Sequence, residues 1–439
     1  MLIQGLQLLL SLSILVVLHE AGHFLPARLF KIRVEKFYLF FDAWFSLFKF
    51  KKGDTEYGIG WLPLGGYVKI SGMIDESMDK DQMNSEPQPW EFRSKPAWQR
   101  LIVMVGGVTV NLILGFLIYM MVMGVWGEDK LPPESVVNGY DMDSVLEGYG
   151  LEDGDHIISM NGEPFENAND ISKILLLEDV RSIEYKRNGT SGKVALPEDF
   201  GQILLDSGVR RSVIPRIPTI VDSVFTDTNA DKSGLKKGDQ ITAVNGKSLP
   251  FFGDFSKTLQ ALKEDTVTLN VTDTNGKERE LEVLVTKNGT LGFQPRSPMK
   301  ILKTEHIDYS FSKSFGAGYA LGKDRLSDYV VSLKFMFSSA GIKQMGGFGA
   351  IGGMFNPEWD WQGFWIATAF LSLILAFMNI LPIPALDGGH VMFLLYEIIT
   401  GKAPPQRFME VAQLAGMLLL ITLVLYANGN DLFKAIFGQ

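Results

Sequence analysis

The sequence predicts a multi-domain membrane protein. The predicted fold is an α-helical transmembrane core of about four spans, a membrane-associated β-hairpin, and two tandem β-rich domains inserted between spans two and three. Two observations predict this fold class. Hydrophobic residues make up 46% of the 439 residues and gather in four long apolar runs, as in chains that combine bilayer spans with soluble parts. The residues between the second and third runs have the composition of a soluble protein and contain an internal repeat.

Net charge and cysteine count exclude several classes of function. The formal net charge is −9, so the sequence gives no electrostatic support for nucleic-acid binding. Cysteine is absent, which rules out disulfides, thiolate catalysis and cysteine-ligated zinc. His, Asp and Glu are left as the strong metal ligands.

The first apolar run, from Leu2 to about Leu25, contains the pattern His19-Glu20-x-x-His23. On a helix the two histidines share a face one turn apart, so both can reach one Zn²⁺ while Glu20 addresses a metal-bound water. The alternative is that both histidines only pack between helices. A polar group at membrane depth is costly, which favours a functional site. We expect Pro26 to end this span, and the lack of Lys or Arg before Arg28 argues against a cleaved signal peptide.

Basic residues dominate the stretch from 26 to 100, which precedes a second apolar run from Leu101 to about Trp126. The positive-inside rule places this loop in the cytoplasm and the N-terminus outside. Within it, Tyr57 to Ser71 is aromatic, β-branched and glycine-rich, and predicts a hairpin beside the metal site. Its exposed edge could pair with an extended substrate strand; an ordinary cytoplasmic hairpin is the alternative. The candidate substrate-binding residues of the hairpin are Gly65, Gly66, Tyr67 and Val68.

The insertion contains two copies of one pattern. Gly150–Gly162 aligns without gaps to Gly234–Gly246, and in each copy a Gly-Asp pair precedes an apolar strand that ends in an Asn-Gly turn signal. These copies resemble PDZ domains, which often bind extended peptides by strand addition. The first copy lacks a recognisable carboxylate-binding loop, and His156 within it is expected to be a surface residue. The predicted domain boundaries are 1–126, 127–214, 215–297, 298–360 and 361–439.

Residues 309 to 345 keep helical spacing, and a glycine-rich connection follows from Met345 to Phe355. This connection lacks the Gly-Lys-Ser/Thr ending of a phosphate loop, so nucleotide binding is not expected. We expect it to serve as a hinge or to allow a close backbone approach.

The third apolar run, Phe364 to Leu381, ends in a segment that two prolines and two glycines should break. The fourth run, Met417 to Tyr426, extends weakly upstream to Phe408. The first and third spans both run inward, so Asp387 should lie at a depth similar to that of the histidines. A catalytic zinc requires three protein ligands and one open position, and either Asp387 or His390 could be the third. Glu20 would act as general base.

Five features together resemble the site-2 protease family: the intramembrane H-E-x-x-H, Gly65 to Lys69, Asn111 in the second run, the tandem PDZ-like insertion, and N-x-x-P-x-P-x-L-D-G-G-H from Asn379 to His390. The resemblance covers nearly the whole chain. It implies a Zn²⁺-dependent protease in the inner membrane of a bacterium, and it favours Asp387 over His390. It also implies that Asn379, Pro382 and Pro384 help to hold substrate.

The implied substrates are single-span membrane proteins of the anti-sigma-factor type and remnant signal peptides. The PDZ-like domains would then be periplasmic and the active site near the cytoplasmic side. The competing hypothesis is a membrane adaptor with PDZ-like binding domains and a structural metal site. The lipid bilayer is the other expected partner; the oligomeric state is not predicted.

Overall fold

The computed structural model describes residues 2–63, 65–73, 86–209, 211–336, 338, 341–342 and 345–437. The chain divides into two compact units. The first combines Met1–Gly127 with Asp308–Gln439, and the second is Glu128–Ile307.

The first unit begins with helix α1, Leu2–Leu29. The expectation that Pro26 ends this helix is wrong. Pro26 removes only the bond that its missing N–H would give to Gly22, and the backbone N–H of Phe30 still bonds to the carbonyl of Pro26 at 3.0 Å. The helix therefore continues for one further turn.

A four-stranded sheet follows α1, in the order β2-β3-β1-β4. Its strands are β1 Val34–Leu39, β2 Phe41–Lys52, β3 Thr55–Leu62 and β4 Tyr67–Ile70. The predicted hairpin is wrong, because β3 and β4 do not pair with each other. Strand β1 lies between them, parallel to β3 and antiparallel to β4. The two strands suggested by Tyr57 to Ser71 exist, but their partner comes from a segment that the sequence reading left unassigned.

Helix α2, Ala97–Trp126, completes the N-terminal part of the first unit. It packs against α1 and against helices of the C-terminal part.

The second unit contains strands β5 to β17 and six short helices. The strands are β5 Glu128–Lys130, β6 Tyr140–Met142, β7 His156–Met160, β8 Ser182–Arg187, β9 Thr190–Ala195, β10 Val213–Pro215, β11 Thr219–Val224, β12 Gln240–Val244, β13 Lys247–Ser248, β14 Thr266–Thr272, β15 Glu278–Leu284, β16 Phe293–Pro295 and β17 Glu305–Ile307. The helices are α3 Ser144–Gly148, α4 Ile171–Leu177, α5 Phe200–Asp206, α6 Asn229–Lys232, α7 Phe252–Ala261 and α8 Pro298–Ile301.

Two separate hydrophobic cores lie within this second unit, one built from residues between Leu131 and Val213 and one from residues between Val221 and Leu291. The repeated motif has the same local structure in both halves. Asn161 and Asn245 have φ of 55° and 51°, as the Asn-Gly turn signal predicts. In each copy the aspartate before the strand is buried and pairs with an arginine, Asp155 with Arg187 and Asp239 with Arg279.

The C-terminal part of the first unit is helical. It contains α9 Phe311–Met336, α10 Phe348–Gly352, α11 Trp361–Ile380, α12 Asp387–Thr400 and α13 Gln406–Phe437. Helix α9 ends earlier than the predicted residue 345. Among the described residues, four helices are long and apolar enough to cross a membrane: α1, α2, α11 and α13. The four membrane-length helices that the sequence predicts are therefore present, and so is the break between α11 and α12.

Candidate metal centre

Three potential metal ligands from two distant parts of the sequence meet in the first unit. His19 and His23 lie one turn apart on α1, and their Nε2 atoms are 3.2 Å apart. The Oδ2 atom of Asp387, the first residue of α12, lies 3.2 Å from Nε2 of His19 and 3.4 Å from Nε2 of His23. Within the described part of the chain, this is the group of side chains that could hold a metal ion.

The break after α11 delivers Asp387 to this position. The chain leaves the helix at Leu381 and turns tightly, and the N–H of Leu386 bonds to the carbonyl of Ile383 at 3.0 Å. Ala385 has φ of 80°, a conformation that costs a non-glycine residue free energy. At Gly389 an added Cβ would lie 2.7 Å from the carbonyl oxygen of Ile383. The glycine therefore lets the start of α12 pack directly on the turn.

The histidines owe their position to small residues at the crossing of α1 and α2. A Cβ added at Gly22 would lie 2.5 Å from the carbonyl oxygen of Gly106, and one added at Gly107 would lie 2.6 Å from Cε1 of His19. Only glycine permits this backbone approach. The sequence reading did not identify Gly106 and Gly107 as site residues. A glycine pair in an apolar run was the signal that could have found them.

Each imidazole is oriented by α2. Nδ1 of His23 donates a hydrogen bond to the backbone carbonyl of Val103 at 2.8 Å, which leaves its Nε2 lone pair for a metal. Nδ1 of His19 lies 3.3 Å from the side-chain amide of Asn111, whose buried Oδ1 has no hydrogen-bond partner in the described part of the chain. Rotation of the amide by half a turn exchanges its oxygen and nitrogen without moving the rest of the side chain. With its oxygen turned toward His19, Asn111 accepts from Nδ1 and frees Nε2 in the same way.

The donor set fits a zinc ion. Ligands about 2.0–2.1 Å from a tetrahedral ion stand about 3.3 Å from one another, and the three atom pairs are separated by 3.2, 3.2 and 3.4 Å. Oδ2 of Asp387 is buried and has no hydrogen-bond partner among the described residues. A buried carboxylate oxygen that faces two imidazole nitrogens without a proton donor is suited to a cation.

A cavity of about 840 Å³ opens beside these ligands, and Glu20 lines it together with His19, His23 and Asp387. Glu20 borders the start of β4, since a Cβ added at Gly66 would lie 3.6 Å from its Cγ. The general base that the sequence predicts is therefore next to the three donors and open to the cavity.

The other predicted site residues fall into two groups. Gly66, Tyr67, Val68, Asn379 and His390 line the same cavity. The remaining three are not among its lining residues: Gly65, Pro382 and Pro384. Pro384 instead packs against α13, where Gly416 leaves room for its backbone carbonyl.

Sequence reasoning missed a polar group at the cavity wall. The hydroxyl of Tyr67 donates to Oδ1 of Asp42 at 2.8 Å, and Nζ of Lys36 donates to Oδ2 of the same carboxylate at 3.4 Å. All three residues line the cavity. They belong to different strands, so no local pattern in the sequence connects them.

A histidine pair and an aspartate beside a glutamate in a cavity, in a unit that contains membrane-length helices, are typical of a membrane zinc metalloprotease. The profile of Peptidase family M50 matches residues 7–423. The chain therefore belongs to Peptidase family M50, the site-2 protease family, whose members depend on zinc.

Relatives along almost the full length agree with this class. A protein of Neisseria meningitidis serogroup A that carries a zinc metalloprotease name is 26% identical, with 98% of each chain covered. A Borreliella burgdorferi protein with a name of the same class is 27% identical over 90% of each chain. The regulator of sigma E protease of Haemophilus influenzae is 25% identical, with 97% of this chain and 98% of that protein covered.

Proposed function

We propose that this zinc metalloprotease hydrolyses peptide bonds within or near the transmembrane segments of single-span membrane proteins. The observation that carries the proposal is the convergence of His19, His23 and Asp387 beside Glu20, in a cavity that borders membrane-length helices. His19, His23 and Asp387 would hold the zinc ion. Three protein ligands leave one position open, as in catalytic rather than structural zinc sites.

The chemistry divides between the metal and Glu20. Zinc, when bound, polarises the scissile carbonyl and lowers the pKa of a water. Glu20 accepts the proton of the attacking water and delivers it to the leaving nitrogen, which makes the amine a competent leaving group. Val103 and Asn111 keep the imidazoles in the orientation that the metal requires.

Strand β4 offers a way to hold the substrate. It is the last strand of its sheet, and within the described residues its second edge has no strand partner. A transmembrane helix hides its peptide bonds in intrahelical hydrogen bonds, so it must unwind before cleavage. Pairing with β4 at Tyr67 and Val68, and with the amide of Asn379, would replace the lost bonds. Pro382 and Pro384 would hold the non-helical link between α11, which carries Asn379, and α12, which begins at Asp387.

The membrane arrangement follows from charge and resemblance. The basic segment from 26 to 100 supports a metal site near the cytoplasmic side of a bacterial inner membrane and an insertion in the periplasm. The two halves of the insertion, 127–214 and 215–297, would be PDZ-like domains, as their separate cores and repeated Asn-Gly turns support. Substrates of the anti-sigma-factor type and remnant signal peptides fit this arrangement.

Cleavage of a single-span test substrate by the purified, zinc-loaded chain tests the proposal. We expect the wild-type protein to cut and Glu20→Gln to retain zinc while losing at least about 10²-fold in rate, the usual contribution of a general base. Cleavage by Glu20→Gln at the wild-type rate would remove Glu20 from the mechanism. Failure of both proteins on a substrate whose helix is destabilised by glycine and proline would contradict the proposed substrate class.

A further inference from the structure

A second cavity lies at the C-terminal end of α1 and shares no lining residue with the cavity at the metal centre. Its volume is about 490 Å³, and it is lined by Arg28, Lys31, Ile32, Arg33, Asp54 and Trp90. Three of these six residues are cations, and none of the six takes part in the proposed reaction.

The corner between α1 and β1 builds this cavity. After the last turn of α1, the N–H of Ile32 bonds to the carbonyl of Ala27 at 2.8 Å, which buries Ile32 and reverses the chain. Lys31 adopts a positive φ of 57° at this reversal. The N–H of Arg33 then bonds to the carbonyl of Trp90 at 2.9 Å. The fold thus gathers Arg28, Lys31 and Arg33 around one space instead of spreading them along a helix face.

Among the described residues, little negative charge compensates the cations of the cavity. Arg33 faces Asp54 at 4.0 Å, and both side chains are well exposed, so this ion pair is weak. Arg28 and Lys31 have no acidic partner within the part of the chain that the structure describes. Basic residues at a helix end interact favourably with its dipole, which accounts for Arg28 alone. It does not account for three cations and a tryptophan around a cavity.

The part of α1 that carries Arg28 also exposes apolar side chains. Leu25 and Leu29 on the last turns of α1 are 63% and 76% exposed, and Trp98 at the start of α2 is 53% exposed. Leucines on the outer face of a membrane-length helix belong in the hydrocarbon, while tryptophan and arginine concentrate at the headgroup level. The cationic cavity therefore lies at the end of a membrane-length helix whose last turns expose two leucines.

We propose that this cavity binds the phosphate of an anionic membrane phospholipid. Arg28 and Arg33 supply planar guanidinium groups that suit phosphate oxygens, and Lys31 adds a third charge. The acyl chains would lie along Leu25 and Leu29. A soluble phosphate shares the headgroup chemistry but gains nothing from this apolar surface, so the lipid binds more tightly. The inference is independent of the proposed proteolysis.

The test is a binding titration on the full-length, zinc-loaded protein in detergent, in which native mass spectrometry measures the amount of each probe bound. The probes are phosphatidylglycerol, phosphatidylcholine and inorganic phosphate. We expect phosphatidylglycerol to bind at least about tenfold more tightly than phosphatidylcholine, a difference of about 1.4 kcal/mol. Inorganic phosphate at millimolar concentration should not displace it. Binding of inorganic phosphate as tight as that of the lipid would overturn the assignment to a membrane ligand.

Three variants distinguish specific binding in the cavity from a non-specific effect of positive charge. Arg28→Gln/Lys31→Gln/Arg33→Gln should lose the preference for phosphatidylglycerol. The matched control, Lys49→Gln/Lys51→Gln/Lys52→Gln, removes the same charge from the exposed end of β2 and should keep it. Arg28→Lys/Arg33→Lys retains the charge without the planar groups and should bind at an intermediate level.

Unchanged zinc content in each variant verifies that the metal site has folded. If the Arg28, Lys31 and Arg33 variant binds phosphatidylglycerol as tightly as wild type, or if the control loses as much, the proposal is wrong.

Discussion

Asp387 and His390 lie one helical turn apart at the start of α12, yet they do not meet the histidines of α1 equally. Oδ2 of Asp387 lies within 3.4 Å of both Nε2 atoms, whereas His390 lines the cavity and is not part of the three-residue donor group. From the sequence alone both were acceptable third ligands. The geometry separates them because the turn before Asp387 aims the first residue of α12 at α1.

Replacing Asp387 by alanine should therefore weaken zinc binding and cleavage together. The variant loses one of three protein ligands, so we expect zinc to be lost on dialysis against a chelator concentration that leaves wild type loaded. The matched control is His390→Ala, which should retain zinc under the same conditions. Zinc loss from His390→Ala as complete as that from Asp387→Ala would contradict the ligand assignment.

A substitution at Gly107 gives a second prediction about zinc affinity at the level of single residues. An added methyl group would lie 2.6 Å from Cε1 of His19, so Gly107→Ala should push the imidazole away and lower zinc affinity by about tenfold or more. Gly5→Ala on α1 is the control, because a Cβ there meets nothing within 4 Å. Competition with a fluorescent zinc chelator measures both. Equal affinities in the two variants would show that the crossing tolerates a side chain.

Among the elements, the turn between α11 and α12 holds its shape at a conformational cost. Ala385 has φ of 80°, where alanine is about 1 kcal/mol less favourable than glycine. Ala385→Gly should accordingly leave the fold intact and raise the free energy of unfolding by up to about 1 kcal/mol, the relief of strain less the added entropy of the unfolded chain. Ala385→Val should lower stability instead, as thermal unfolding in detergent can show. A more stable valine variant would exclude this account.

The glycine-rich connection was expected to be a hinge or a close backbone approach, and its described part shows the second. The carboxylate of Asp431 on α13 accepts hydrogen bonds from the N–H groups of Gly347 and Ala350 at 2.9 and 3.0 Å. A Cβ at Gly347 would lie 2.6 Å from Oδ1 of Asn428. Composition alone could not distinguish the two uses, because both require glycine and only the partner helix decides between them.

The long helices could be predicted from the sequence, whereas the pairing of the strands could not. Apolar runs located the membrane-length helices because a helix satisfies its own backbone and its length is set by the bilayer. The pairing of β1 with both β3 and β4 was not predictable, because strand partners depend on long-range contacts that leave no local pattern. The His-Glu-x-x-His pattern identified two of the three candidate metal ligands and the candidate general base. The contributions of Gly106, Gly107 and Val103 depend on how two helices cross.

At the scale of the whole molecule, ion pairs connect the two halves of the second unit. Arg216 contacts Asp141 at 2.9 Å and Asp254 at 2.7 Å, and Lys257 contacts Glu147 and Asp153 at 2.6 Å each. Burial raises the pKa of Asp141 to about 6, against the lowering effect of Arg216 and with the support of the carboxylates of Asp153 and Asp254. The ionised form of Asp141 is therefore less favourable in the folded protein than in the unfolded chain.

This raised pKa fixes the sign of a pH dependence. The folded state holds the Asp141 proton more tightly than the unfolded state, whose pKa is near the ordinary value of 3.8. The resulting stabilisation is complete below about pH 4 and is lost as pH rises through 6, by no more than about 3 kcal/mol. Asp141→Asn cannot titrate, so its stability relative to wild type should rise between pH 4 and 6 and stay constant above pH 7. Thermal unfolding of the full chain over this range provides the measurement, and a flat difference would contradict the assignment.

Strand β4 is short, and its length sets the length of a peptide inhibitor that would pair with it. Its four residues span about 13 Å at 3.3 Å per residue, less than half of a hydrocarbon core of about 30 Å. If substrates pair with this edge, only a short segment of each transmembrane helix must unwind, and the rest of that helix can stay intact. A capped peptidomimetic of four or five residues, with an exposed main-chain edge and a zinc-binding end group, would then be long enough to occupy the whole recognition surface.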